Sequence, residues 1–375
     1  MQLAIVAAGF TPGEADQLRR SMAAWRRHGT VGKFEEKLIT GMTSRGYTRE
    51  FAEQVFQQIK GFGEYGFPES HAASFALLVY VSAWMKCHHP AAFTCALLNS
   101  MPMGFYAPSQ LVQSAQRQGV TVLPVDVNRS DWDCSLEQGG SPQLRLGLRM
   151  VKGLSEAGGQ EVETERRQGR FADMREFAER VALQRKDHSA LAAADAFHAL
   201  AGNRHQAYWQ VAGIEPALPL TGRHQVAEAA PLLSIPGEAE NVYADYRSIG
   251  LSLRTHPVGL LRDELTRRQA LSFADIEALP TDSLVHAAGL VITRQRPGSA
   301  NNVTFVTLED ETGTLNLIIW EAVAEAQRET LLRSRLLGVS GRLQKQDGVT
   351  HLIANRLFDY SALLGELVTR SRDFH

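Results

Sequence analysis

Apolar residues recur three and four positions apart through the first third of the chain, in Phe51, Ala52, Val55, Phe56 and Ile59 and again from Phe75 through Trp84. That spacing paints one face of an α-helix. Residues 1 to about 130 therefore read as helices punctuated by Gly and Pro. Thr11-Pro12-Gly13-Glu14 has the form of a helix start: a capping Thr, Pro at the first helical position, and Glu three residues after the Thr. The most apolar run, Ala72 to Met85, is shorter than the roughly 20 residues a membrane span needs and is expected to be a core helix. Leu123 to Asn128 is β-prone and closes this region.

Between about 144 and 213 the pattern becomes short helices joined by glycine turns, and 216–240 is rich in Pro, Ala and Gly without periodicity, as in a linker. From Leu284 onward the period changes to that of strands. Five are expected, over Val285–Thr293, Val303–Glu309, Thr314–Trp320, Leu336–Leu343 and Val349–Ala354, with a helix over Glu321–Leu332 after the third. That order is the order of an OB-fold barrel. The expected architecture is multidomain: an all-α region and a region of short helices joined by glycine turns, followed by a β-barrel. Its expected boundaries are 1–130, 131–215, 216–282 (linker and barrel entry) and 283–375.

At 375 residues the chain exceeds one ordinary core. Its 44% hydrophobic and 21% charged composition is that of a folded protein. The net charge of −2 gives no bulk attraction for a polyanion, so any nucleic-acid surface must be local. Cys87, Cys95 and Cys134 form no C-x-x-C pair and are expected to be reduced, buried thiols rather than zinc ligands. The start lacks the basic stretch of an export signal. A cytoplasmic location with no membrane partner is expected.

Three constellations carry candidate chemistry. In the first, a glycine-rich turn over residues 62–68 leads into a helix whose first turn carries Ser70 and His71. Free N–H groups at a helix start suit a phosphate; a plain capped core helix is the alternative. Arg19 and Arg20 are adjacent cations on an expected helix and by themselves read as a solvated face. In the second, Lys152-Gly153-Leu154-Ser155 reads as a hairpin whose amides approach a phosphate, or as an ordinary turn. In the third, the barrel offers Arg294, Arg296, Arg342, Lys345, Phe305 and Trp320 for a single strand. Core packing is the competing expectation for the two aromatics. Asp131-Trp132-Asp133 resembles a metal-binding carboxylate pair and is expected to be a decoy, while Glu309-Asp310-Glu311 is expected to be a solvated turn.

The runs Gly9–Arg20, Tyr65–Ala73 and Lys86–Phe93 resemble, in order, the fingers domain of bacterial C-family DNA polymerases. Pro68-Glu69-Ser70-His71, the stretch 99–106 and Pro124–Asn128 are similar to the error-prone, damage-inducible branch of polymerase III alpha subunits. Residues 145–158 resemble the family's helix-hairpin-helix, with Ser155 where its second glycine stands, and Asp245–Pro257 resembles its entry into an OB domain. The resemblance implies a DNA-directed DNA polymerase acting in damage tolerance. Arg19, Arg20, Ser70 and His71 would grip the incoming deoxynucleoside triphosphate, and Lys152, Gly153, Ser155 and the barrel residues would grip DNA.

The resemblance also implies Mg²⁺ for the whole enzyme, held by three palm aspartates that have no match here, so no cofactor is expected in this chain itself. The chain is expected to be the C-terminal portion of such a polymerase, beginning inside a family helix. No clamp-binding pentapeptide is evident over 216–240, which fits a branch that relies on accessory mutagenesis proteins to reach the sliding clamp. The alternative function is a catalytically inactive DNA-binding or interaction fragment.

Overall fold

The computed structural model describes residues 2–23, 32–65, 69–103, 106–137, 142–214, 231, 233–297, 302–346, 348–365, 367 and 372–374. The chain divides into two compact units, one of residues 1–81 with 268–361 and 370–375, the other of 82–267 with 362–369.

The first stretch holds α1 (Gln2–Ala8), α2 (Pro12–Ala23), α3 (Gly32–Thr43) and α4 (Arg49–Tyr65). They close over Ala4, Phe10, Leu18, Leu38, Met42 and Phe56. The start of α2 is the capping box expected from its sequence: Thr11 N donates to Glu14 Oε2 at 2.9 Å and Glu14 N to Thr11 Oγ1 at 3.3 Å. Two first-turn donors with no partner inside the helix are satisfied this way.

α5 (Glu69–His88) carries the most apolar run of the sequence. Here the structure corrects the expectation of a core helix, since Phe75, Leu77, Leu78, Val79, Tyr80 and Trp84 all stand exposed, Tyr80 to 70%. A helix apolar all the way round has no single face to bury, so hydropathy alone does not say what covers it.

In the second unit, α6 (Pro90–Asn99) and α7 (Pro108–Arg117) pack beside a small sheet of β1 (Val122–Leu123), β2 (Ser135–Glu137) and β3 (Gln143–Arg145), in the order β1-β3-β2. Short helices follow: α8 (Glu156–Arg167), α9 (Met174–Arg180), α10 (Arg185–Ala193), α11 (His198–Ala201), α12 (Arg204–Ala212), α13 (Glu238–Ser248), α14 (Pro257–Leu260) and α15 (Arg262–Arg267). One core joins Ala91 to Leu251, with Phe177 edge-on to Phe171 and Phe197 at 4.9 Å each. Asp195, Asp245, Arg204 and Arg254 form an ion-pair network that fastens α10 through α13 together.

After α16 (Phe273–Ala278) come β4 (Leu284–Gln295), β5 (Thr304–Glu309) and β6 (Thr314–Ile319), the short helices α17 (Glu321–Ala326) and α18 (Arg328–Arg333), then β7 (Leu336–Gln346) and β8 (Val349–Asp359). β5 pairs with β6, β6 runs parallel to β8, β8 pairs with β7, β7 with β4, and β4 returns to β5. The sheet is thereby closed, and β9 (Arg372–Phe374) lies parallel to the end of β4.

Alternation fills the interior: Val306 and Leu308, Leu315 and Leu317, Leu337 and Val339 point in, and the residues between them point out. The single helix expected over Glu321–Leu332 is broken at Gln327, whose backbone leaves helical angles. The acid run is also corrected. Glu309 and Asp310 are buried, and Asp310 accepts Thr312 N, Gly313 N and, from α16, Phe273 N. A carboxylate that closes its own turn and caps a helix is held inside rather than solvated. Among the described residues, no helix is long and apolar enough to cross a membrane.

Candidate nucleic-acid interface

The hairpin over residues 148–158 is built from its backbone outward. A 3₁₀ turn, Leu148–Met150, leads to Gly153 at φ +88°, a conformation that L side chains rarely adopt, with Ala190 Cβ in ordinary contact at 3.9 Å from where a Cβ would project. Ser155 caps α8, its hydroxyl accepting Gly158 N at 3.1 Å, while its own N–H is held by Asp187 Oδ1 at 2.8 Å. The first-turn amides of Glu156 and Ala157 have no carbonyl four residues back inside the helix. The Ser155 groups, by contrast, are occupied.

Lys152 sits at the head of this hairpin, and its ammonium donates to Tyr246 O at 2.9 Å and Arg247 O at 3.3 Å, on the last turn of α13. A cation there meets the negative end of the helix dipole. A second hairpin of the same build lies downstream: Gly202 at φ +80° precedes Asn203, whose side chain caps α12 by accepting Gln206 N at 3.0 Å. The sequence signal for it was a Gly-Asn pair between two helical runs.

On the barrel, registered pairs place residues on one face in a row. Gln295 opposes Phe305, Phe305 opposes Ile318, Ile318 opposes Ile353, and Ile353 opposes Arg342. Phe305 is 37% exposed, and Trp320, two residues beyond Ile318, is 53% exposed. Both aromatics face solvent, against the core packing that the apolar context suggested. Arg296 follows Gln295 and reaches Glu321, the neighbour of Trp320, at 3.5 Å. Arg342 lies 3.8 Å from Asp282 and is exposed. Phe305, Trp320, Arg296 and Arg342 are thus brought to one surface. A neighbouring row adds Thr307, which donates to Asn316 Oδ1 at 2.9 Å.

Two other candidates do not join that surface. Arg294 is buried, its guanidinium donating to Leu331 O at 2.7 Å and to Ser334 O at the end of α18. Lys345 donates to Glu277 O at the end of α16. Both cations close helix C-termini.

Arg19 and Arg20 stand exposed on α2 and share one carboxylate, Asp16, at 2.9 Å each. Hydrogen bonds from Arg19 hold the Asp16 carboxyl below its ordinary range, with the charge of Arg20 acting in the same direction. Ser70 and His71 fall in the first turn of α5, and their side chains lie outside the described residues.

Asp131 is paired with Arg166 and Asp133 with Arg149, the latter at 2.6 Å. Among the described residues, no group of three or more His, Cys, Asp or Glu could hold a metal. The described side chains therefore do not fit a two-Mg²⁺ centre. Cys95 and Cys134 are buried free thiols, while Cys87 is free but exposed, which corrects its expected burial. Burial pushes the Cys134 thiol up to about 11.

Comparison with known proteins matches three family models to this chain: a bacterial DNA polymerase III alpha subunit finger domain at residues 1–46, a helix-hairpin-helix motif at 119–207 and an OB-fold nucleic acid binding domain at 285–360. Among curated proteins, it is 56% identical to an error-prone DNA polymerase of Methylococcus capsulatus, over 100% of this chain and 38% of that protein. The error-prone DNA polymerases of Alkalilimnicola ehrlichii and Pseudomonas fluorescens are 58% and 52% identical, again over 100% of this chain and 37% of each protein. The chain thus spans little more than a third of the length of these relatives.

Proposed function

We propose that this chain, similar along its whole length to part of the error-prone DNA polymerases, forms the DNA-handling portion of such a polymerase acting in damage tolerance. Single-stranded template would lie across the barrel face that carries Phe305 and Trp320, bases stacking on the two rings while Arg296 and Arg342 meet phosphates. Duplex would be gripped at the Gly153 hairpin through backbone amides, without sequence preference. Deoxynucleoside triphosphate, Mg²⁺ held by another part of the enzyme, and accessory mutagenesis proteins that link to the sliding clamp complete the proposed set of partners.

The observation that carries this reading is the exposure of two large aromatics on one face of a closed barrel. Two exposed rings beside two exposed arginines on one barrel face form the kind of platform on which successive bases stack. The test measures fluorescence anisotropy of a labelled oligothymidylate with the whole chain. Phe305→Ala and Trp320→Ala are each expected to weaken binding by about 1–3 kcal/mol, the usual value of one base stacked on an aromatic. Unchanged affinity in both variants overturns the assignment.

A further inference from the structure

The outward face of the barrel carries a second row of side chains beside the one that holds Phe305. Strand pairing sets Thr293 opposite Thr307, Thr307 opposite Asn316, Asn316 opposite His351 and His351 opposite Gln344, so each of the five barrel strands contributes one polar residue. Between the two rows lie Val306, Leu317, Leu352 and Leu343, all buried in the barrel interior. Residues two apart on a strand return to the same side, so both rows face outward, about 6–7 Å apart. Asn316 is exposed, and Thr307, His351 and Gln344 are half-buried.

Charge divides this face. Arg296 and Trp320 lie past the Phe305 row on one flank, while the polar row on the other flank holds no Lys, Arg, Asp or Glu. A single strand crossing β5, β6 and β8 therefore meets a cation for its phosphates on one side and amide, hydroxyl and imidazole groups on the other. A base lying on Phe305 extends its edge toward the polar row, across a gap that one hydrogen bond closes.

Thr307 sets what that row offers. Its hydroxyl donates to Asn316 Oδ1 at 2.9 Å, which turns the carboxamide so that Nδ2, with its two N–H groups, is the end left for a ligand. Nδ1 of His351 is buried with no hydrogen-bond partner among the described residues, so no protein group fixes the ring's tautomer and Nε2 can donate as well.

We propose that Asn316, oriented by Thr307 and flanked by His351 and Gln344, reads the edges of the stacked bases and gives the single-strand site a preference for thymine, which presents carbonyl acceptors, over adenine, which sets an amino donor on the same edge. This rests on the Phe305 stacking reading and deepens it, since stacking and phosphate contacts by themselves carry no hydrogen-bond readout.

The experiment measures fluorescence anisotropy of the whole chain with labelled oligothymidylate and oligodeoxyadenylate of about twelve nucleotides, within the span of an OB barrel. Comparing each variant with the unaltered chain on the same oligonucleotide cancels the different stiffness of the two strands. Asn316→Ala is expected to weaken oligothymidylate about five-fold, as loss of one neutral hydrogen bond does, and to leave oligodeoxyadenylate within about two-fold. The salt slope of both should be unchanged, because no phosphate contact is lost. Thr307→Val nearly keeps the shape of the side chain and removes its hydroxyl. The released carboxamide can then present Oδ1 to an amino group, so oligodeoxyadenylate should bind about two-fold more tightly while oligothymidylate weakens. A misfolded chain gains affinity for neither.

An equal loss for both oligonucleotides, or no change in either, overturns the base reading, and a shallower salt slope overturns it in favour of a phosphate contact. Phe305→Ala reports separately on the stacking reading. If it weakens both oligonucleotides while Asn316→Ala changes neither, stacking stands and the polar row reads nothing; if it changes neither while Asn316→Ala still lowers the thymine preference, the row stands and its bases are held by another ring.

Discussion

His205 shows how one side chain can read pH. Its Nδ1 lies 2.7 Å from Ser234 O and its Nε2 2.7 Å from Glu240 Oε1, two acceptors that only the imidazolium satisfies together. The bond to Ser234 O, followed by that to Glu240, raises its pKa above the ordinary 6.5. A raised folded value means the cation is favoured by folding, so the stabilisation is fully present below the ordinary value and is lost as pH rises through the folded value. The segment Leu233–Gly237 should thus become more open to proteolysis above neutral pH, and His205→Gln should show the open behaviour at every pH; a cleavage rate flat between pH 6 and 8 contradicts the latch.

Asp245 is a different case, because Arg204 beside it is buried and loses its counter-charge if the carboxylate goes. Asp245→Ala is expected to cost about 3–5 kcal/mol in chemical denaturation. Lys152 shows where residue-level reading stops. Next to a glycine hairpin it reads as a DNA contact, while its ammonium lies on the last carbonyls of α13, more than ninety positions away in sequence. Lys152→Met should lower stability more than it lowers DNA affinity, measured side by side by thermal melting and anisotropy.

Elements were legible where periodicity and local caps agree. The α2 capping box lies within four residues, and all five barrel strands announce themselves by alternation. Their ends ran short: β8 extends to Asp359, five residues beyond the expected Ala354, because pairing with β7 continues past the apolar run. The ring pair Phe358–Tyr360 lies in and just past that extension, beyond what the apolar pattern marks.

For α5 the sequence gives type but not environment. With Leu77, Tyr80 and Val81 exposed on a helix apolar all round, this chain should bind a hydrophobic dye strongly and self-associate. Leu77→Glu with Val81→Glu should reduce both and leave the melting temperature within a few degrees. A collapse of folding in that variant would instead place the two side chains inside a core.

At the scale of the molecule, a net charge of −2 would leave DNA binding to local patches, and on the proposed reading each patch has a separate duty. The barrel and the hairpin bring backbone-directed groups, so their substitution should change DNA affinity and its salt dependence. The α2 arginines are set apart by chemistry: two guanidiniums one residue apart share the Asp16 carboxylate, an arrangement that holds forks of donors ready for a compact polyanion. On the proposed reading, a triphosphate would displace that shared carboxylate with more charge than it supplied. In a full-length polymerase carrying this stretch, Arg20→Ala is therefore expected to lower kcat/KM for the nucleotide by about ten-fold or more, as loss of one charge-assisted contact worth about 1.5–3 kcal/mol requires, and to leave primer-template affinity nearly intact. Asp16→Asn separates the two possible duties of the carboxylate. If Asp16 only parks the arginines between turnovers, KM falls; if it orients them, KM rises together with that of Arg20→Ala. Should the Arg20 variant instead lose DNA affinity at unchanged nucleotide kinetics, α2 faces the duplex, and the triphosphate is gripped elsewhere.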